Sequence, residues 1–233
     1  MDALNSKRIN IICLVVHLPD RFSVFSIVVI ASLGLFGIRP EIYSQVPVDL
    51  GLSVRWADCN LGAEKPEDYG GLYGWGDPTG ECTDANVYDD DWNWLPDSLY
   101  GGYMPTMDIS GTQLDIVRAK WGKPWRLPKC DEMKELITRC RKEKAVINGV
   151  EGIRFIGPSG NSIFLPSSGY RVGNDTLACN VSGFYWTGSI GRKYKDKRDS
   201  RPWTLFFKTR GFYYECSDYS QRQCGYSIRP VRK

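Results

Sequence analysis

The chain has 233 residues, 24% of them charged, a formal net charge of +3, and an unusual load of 8 Trp and 13 Tyr. That length accommodates one large domain or two small ones with a sizeable core. The charge balance is that of an ordinary surface and excludes the strongly basic footprint of a nucleic-acid binder.

The N-terminus comes first in chain order. Lys7, Arg8 and Arg21 precede an apolar run from Phe22 to Ile38, broken only by small residues such as Ser23, Ser26, Ser32 and Gly34. A basic region followed by roughly 15 apolar residues reads as a secretory signal or a short anchor. It falls short of the roughly 20 apolar residues that a spanning helix needs. Cleavage is expected after Ile42-Tyr43-Ser44. Residues 1–44 are therefore read as a signal peptide or N-terminal membrane anchor, and residues 45–233 as one exported domain: secreted, periplasmic or at the cell surface. Membrane contact is expected only through the N-terminal segment if it stays uncleaved.

Two consequences follow for chemistry. The single histidine, His17, lies in the expected leader. A mature domain without histidine excludes His-based triads, His general bases and His-ligated zinc. Cys59, Cys82, Cys130, Cys140, Cys179, Cys216 and Cys224 remain, in a compartment that permits disulfides. None forms a Cys-x-x-Cys pair. Cys216 and Cys224 flank the polar stretch Ser217 to Gln223 and are the expected disulfide, and the odd count leaves at least one thiol free.

Val48 to Trp56 alternates as a strand, with Leu50, Leu52, Val54 and Trp56 on one face. Pro66 to Gly80 is a Gly-rich aromatic turn-and-strand region, and Glu81 to Tyr103 a long acidic loop carrying Asp89, Asp90 and Asp91. Thr112 to Lys120 reads as a short helix with Leu114, Val117 and Trp121 on one side. A second helix places Met133, Leu136, Ile137 and Cys140 in one apolar stripe. Beyond Gly149 the pattern changes to strands. Val150 to Ile156 and Ser162 to Leu165 form a hairpin around Gly157-Pro158-Ser159-Gly160. Gly183 to Thr187, Pro202 to Lys208, Phe212 to Cys216 and Tyr226 to Val231 follow, with a charged loop from Gly191 to Arg201 between them. Trp56, Trp75, Trp121, Trp125 and Trp186 are expected in the core. Helices early and strands late make an α+β domain.

Five blocks carry a resemblance over nearly all of residues 45–233. They are Val48 to Gly62, Trp125-Arg126-Leu127-Pro128, Gly157 to Pro166, Gly183-Phe184-Tyr185-Trp186, and Gly225 to Val231. In this order they resemble the Fibrobacter succinogenes major paralogous domain family of exported bacterial proteins. The resemblance implies a C-type lectin-like fold: two short helices packed on a small, mainly antiparallel twisted sheet with long loops. In that family the entry to the second helix reads like Arg-Leu-Pro-Thr-x-x-Glu, a capping box. Here Glu132 is kept but Lys129 stands at the cap, so Asp131 is expected to serve instead and move the helix start.

The same Trp125-to-Pro128 block with Glu132 resembles the helix entry of formylglycine-generating enzymes, whose oxidases bind copper through two late cysteines. Cys216 and Cys224 lie in a comparable region, but a structural disulfide is the preferred account. Asp89, Asp90 and Asp91 could ligate calcium. The sugar-binding motifs of C-type lectins are absent, however, and a solvated acidic loop is favoured.

The expected ligand-binding residues are Trp203, Tyr213, Tyr214, Asp218, Tyr219, Gln221 and Arg222, because Tyr, Trp and Arg give large contact area at low entropic cost. Phe206, Phe212 and Tyr214 could instead pack the sheet, since period two turns about half of a strand's side chains inward. The resulting expectation is a non-catalytic binding module for a glycan or a surface protein, with no cofactor and no nucleic-acid partner. A structural adhesin or surface-assembly component comes second and a copper oxidase third.

Overall fold

A computed structural model describes residues 45–80, 107–191, 201–210, 213–217, 222 and 224–233, all within one compact unit, Glu41–Lys233. The expected leader, the Asp89-to-Asp91 loop and most of the charged 191–201 loop lie outside the described residues.

The elements are β1 (Pro47–Val48), β2 (Arg55–Ala57), α1 (Ile116–Trp121), α2 (Cys130–Arg139), β3 (Arg141–Ile147), β4 (Val150–Ile156) and β5 (Ser162–Pro166). They continue with β6 (Tyr170–Val172), β7 (Asp175–Leu177), β8 (Ser182–Ile190), β9 (Pro202–Lys208), β10 (Tyr213–Ser217) and β11 (Val231–Arg232). The strands form small sheets in the orders β1-β2-β11, β3-β4-β5, β10-β9-β8 and β6-β7. Every pair of named neighbours is antiparallel. Two short helices on small antiparallel sheets make this an α+β domain.

The expected first strand is real at its ends but not in its middle. Leu50, Val54 and Trp56 are buried as the alternation requires, yet residues 49–54 are irregular. Their backbone groups find partners other than a neighbouring strand. The Gly51 N–H donates to Asp49 Oδ1 (2.8 Å), and the Ser53 N–H and hydroxyl both donate to Glu135 on α2. The segment also lies hard against the β4–β5 turn. Ser159 Oγ and Asn161 Nδ2 donate to the Asp49 carbonyl at 2.7 and 2.8 Å.

Gly157 makes that approach possible, because a Cβ there would stand 2.1 Å from the Leu50 carbonyl oxygen. Gly157→Ala is expected to cost about 2–3 kcal/mol in urea unfolding as the segment is pushed away. Gly160→Ala, left-handed but unobstructed, should cost only about 1 kcal/mol. Equal losses at the two positions would show that close approach is not what Gly157 serves.

Two hairpins go beyond the expected elements. β3 pairs with β4 across Asn148-Gly149, whose φ values of 50° and 84° are those of a tight two-residue hairpin turn. β6 and β7 form a second, short hairpin. The expected strand from Tyr226 to Val231 is reduced to isolated bridges, Tyr73 with Tyr226 and Tyr185 with Ser227, before β11. The start of α2 does not move to Asp131. Lys129 remains the cap residue, and its N–H donates to Glu132 (2.7 Å), whose carboxylate also takes two bonds from Arg126 at 2.6 and 2.8 Å.

The β8–β9–β10 sheet separates two cores. Tyr185, Leu205 and Phe207 pack with Met133 and Leu136 of α2, and with Trp56, Phe155 and Val231. On the other side Trp186 stacks on Tyr226 at 4.3 Å, among Tyr73, Trp75, Trp121 and Trp125. The five tryptophans expected in the core are all buried. Trp75 and Trp186 also donate their indole N–H to the carbonyls of Thr187 and Tyr73, each at 2.7 Å. These two tryptophans keep their polar atoms satisfied while their rings fill the core, whereas the buried Nε1 atoms of Trp56 and Trp121 have no hydrogen-bond partner.

Candidate functional site

On the β8–β9–β10 sheet, the face away from α2 carries a continuous set of aromatic rings. Phe184 on β8 lies 4.7 Å from Phe206 on β9, 4.9 Å from Tyr170 on β6 and 5.1 Å from Tyr226. Tyr226 is buried and forms the floor, whereas Tyr170, Phe184 and Phe206 are each only half-buried. Register explains the arrangement: Phe184 is directly opposite Phe206, and Phe206 is directly opposite Glu215 of β10. Directly opposed residues share a face, with their Cβ atoms about 5 Å apart.

The shelf therefore has a mixed rim. Lys208 holds its ammonium 5.7 Å from the Phe206 ring centre, and Glu215 stands across from the same ring. Arg171, beside Tyr170, donates to the Gly173 carbonyl at 2.8 Å. Half-open rings with charged groups at their edge can stack on an apolar ligand face while the rim takes hydrogen bonds.

Of the expected recognition residues whose side chains the structure describes, Trp203 and Arg222 do not share a surface. Trp203 is half-buried on the α2 side, with Lys134 Nζ 4.4 Å from its ring centre. Tyr213 and Tyr214 lie on β10, paired in register with Lys208 and Phe207. Asp218, Tyr219 and Gln221 fall outside the described residues. Arg222 is not on a presented tip. It is 4% exposed, its guanidinium stacks 4.9 Å from the Trp75 ring centre, and its carbonyl accepts the Trp75 N–H at 3.0 Å.

The expected Cys216–Cys224 disulfide is also corrected: both are free thiols. Cys216 packs against the α2-side core and Cys224 belongs to the opposite one, so closeness in sequence does not make them partners.

Sequence reasoning did not single out Tyr170 or Phe184, and it raised Phe206 only as a residue that could pack the sheet. The signal was the period-two pattern of β8 and β9, which sends Phe184 and Phe206 to one side and Tyr185 and Phe207 to the other. Among the described residues no group of three or more His, Cys, Asp or Glu is arranged to hold a metal ion, and no helix is long and apolar enough to cross a membrane. No family model, no curated protein and no solved structure matches the chain.

Proposed function

We propose that this chain is an exported, non-catalytic binding module that recognises a glycan or a protein at the bacterial cell surface, on a C-type lectin-like frame. The half-open shelf of Tyr170, Phe184 and Phe206, rimmed by Lys208 and Glu215, carries this reading. Sugar rings present C–H faces that stack on such aromatics, and their hydroxyls suit a mixed-charge edge. An apolar protein side chain fits the same shelf. The apolar N-terminal run supports export, and the ordered aromatic–glycine blocks support the frame.

Glycan-array and surface-protein binding by the full chain tests the proposal. Phe206→Ala and Tyr170→Ala are expected to weaken a detected interaction at least tenfold, as truncating a central aromatic anchor does. Val146→Ala, at the exposed β3 end, should leave it unchanged. Loss on Trp203→Ala but not on Phe206→Ala would move recognition to the α2 side. Absence of binding on both kinds of array would overturn the proposal.

A further inference from the structure

The β1-β2-β11 sheet, a different sheet from the one that carries the shelf, breaks a rule of strand pairing. Arg55 on β2 is directly opposite Arg232 on β11. Directly opposed residues point to one face with Cβ atoms about 5 Å apart, and like charges so placed repel. Alternation decides which face it is. The adjacent pair, Trp56 and Val231, is buried in the α2-side core, so both arginines point the other way. Arg55 is exposed and Arg232 half-buried.

Among the described residues, none of the ion pairs involves either guanidinium. Asp49 lies one residue past the Val48–Trp56 pair and is the acid nearest in register to Arg55. Its carboxylate instead accepts the Gly51 N–H at 2.8 Å. Arg232 Nε donates to the Lys233 carbonyl, a long bond of 3.5 Å. Arg232 is nevertheless held in place. The bridge between Arg126 and Val231 continues the sheet and sets Trp125 beside Arg232. The guanidinium carbon lies 5.6 Å from the ring centre of Trp125, which is itself buried. A guanidinium stacked on a fixed ring is pre-ordered and keeps the N–H groups along its edge for a partner.

We propose that Arg55 and Arg232 form a binding site for a tetrahedral oxyanion, sulfate or phosphate, free or carried on a polymer. An anion between two guanidiniums replaces one repulsion with two attractions. The arginine fork also matches the oxygens of such a group two at a time. Two side chains that cost stability when left to themselves are a local conflict of the kind that functional sites keep. The site shares no residue with the shelf, so each stands without the other.

Thermal melting of the full chain tests the site, at constant ionic strength, as sulfate or phosphate replaces chloride. In chloride alone, Arg55→Gln should melt about 1–3 °C above wild type, because an exposed like-charge pair is removed. Sulfate at about ten times its dissociation constant should raise wild type by about 3 °C more than it raises Arg55→Gln. The variant carries the general stabilising effect of sulfate, so the difference reports the site. Lys144→Gln, which removes an exposed charge on β3, should keep the wild-type response. The Nε–Hε signals of Arg55 and Arg232 should move with the same midpoint in nuclear magnetic resonance spectra. Dextran sulfate that acts at a lower sulfate concentration than the inorganic ion would place the group on a polymer, and equal concentrations would mark a free ion. Equal sulfate rises in wild type and Arg55→Gln, arginine signals that stay still, or Arg55→Gln melting below wild type in chloride would each overturn the proposal.

Discussion

Arg229→Met is expected to lower the free energy of unfolding by about 4 kcal/mol, read from urea transitions at pH 7. Arg229 is fully buried, and its guanidinium donates to the carbonyls of Ala57 (3.1 Å), Asp58 (2.6 Å) and Phe164 (2.7 Å) and to Asn60 Oδ1 (3.0 Å). Asn60 in turn donates to the Tyr185 hydroxyl at 3.2 Å, and that hydroxyl donates to the Pro166 carbonyl at 2.8 Å. One side chain near the C-terminus therefore satisfies backbone groups around β2 and β5 and reaches β8 through Asn60.

Burial lowers the pKa of Arg229 and lifts that of Tyr185 to about 12. A guanidinium nevertheless stays protonated in a protein, so the network rests on a permanent charge. Methionine fills much of the volume and strands the acceptors, each at about 1–3 kcal/mol and not additively. Arg229→Lys should recover only part of the loss, because an ammonium has three donors and no planar fork. Arg139→Met, on the exposed face of α2, should change stability by no more than about 0.5 kcal/mol. A loss below about 1 kcal/mol for Arg229→Met would show that water or shifted backbone replaces the network.

Parts of this architecture were legible in the residues. β9 falls at Pro202–Lys208 as read, and α2 follows its apolar stripe, because both pack a face whose period local sequence records. The Trp residues among glycines are buried for the same reason. Arg229 could not be read this way. It lies in the last of the five resemblance blocks, but Arg is normally a surface residue, and its acceptors are mostly backbone carbonyls that no pattern displays.

Contacts between distant segments account for the other misses. Glu135, remote in the chain, takes the N–H and hydroxyl of Ser53 and so breaks the expected first strand. β3 runs Arg-Lys-Glu-Lys with little burial, so its only mark was the Asn148-Gly149 turn. Cys216 packs against the core that Met133 and Leu136 of α2 help to line, while the sequence suggested the nearer Cys224 as its partner. The shelf was half visible, since alternation marked Phe206 as facing one way without showing that the rings beyond it stay partly open.

Asp115→Ala should cost about 3 kcal/mol at pH 7, and its pH dependence identifies the cause. Asp115 is fully buried at the N-cap of α1, where Oδ1 accepts the N–H groups of Val117 (2.9 Å) and Arg118 (3.4 Å). Oδ2 accepts those of Gly111 (2.7 Å) and Leu127 (2.9 Å). Loss of the cap alone is worth about 1 kcal/mol. The N–H groups of Gly111 and Leu127 lie outside the helix, and the buried Leu127 N–H would be left with no acceptor. Burial raises the pKa of this carboxyl, and the four amides oppose the rise without cancelling it.

The sign then follows from linkage. Between the unfolded value, about 3.9, and the higher folded value, the folded chain binds more proton than the unfolded one. The Asp115 contribution therefore grows as pH falls through the folded pKa and levels off below the unfolded one. At neutral pH the chain bears the full cost of the buried charge. Other carboxylates titrate alike in both proteins and cancel in the difference. The stability gap between wild type and Asp115→Ala, measured in urea at pH 7 and again near pH 4.5, should thus widen on acidification. A gap that narrows would mean that the amides dominate and that the carboxylate is held below its ordinary range.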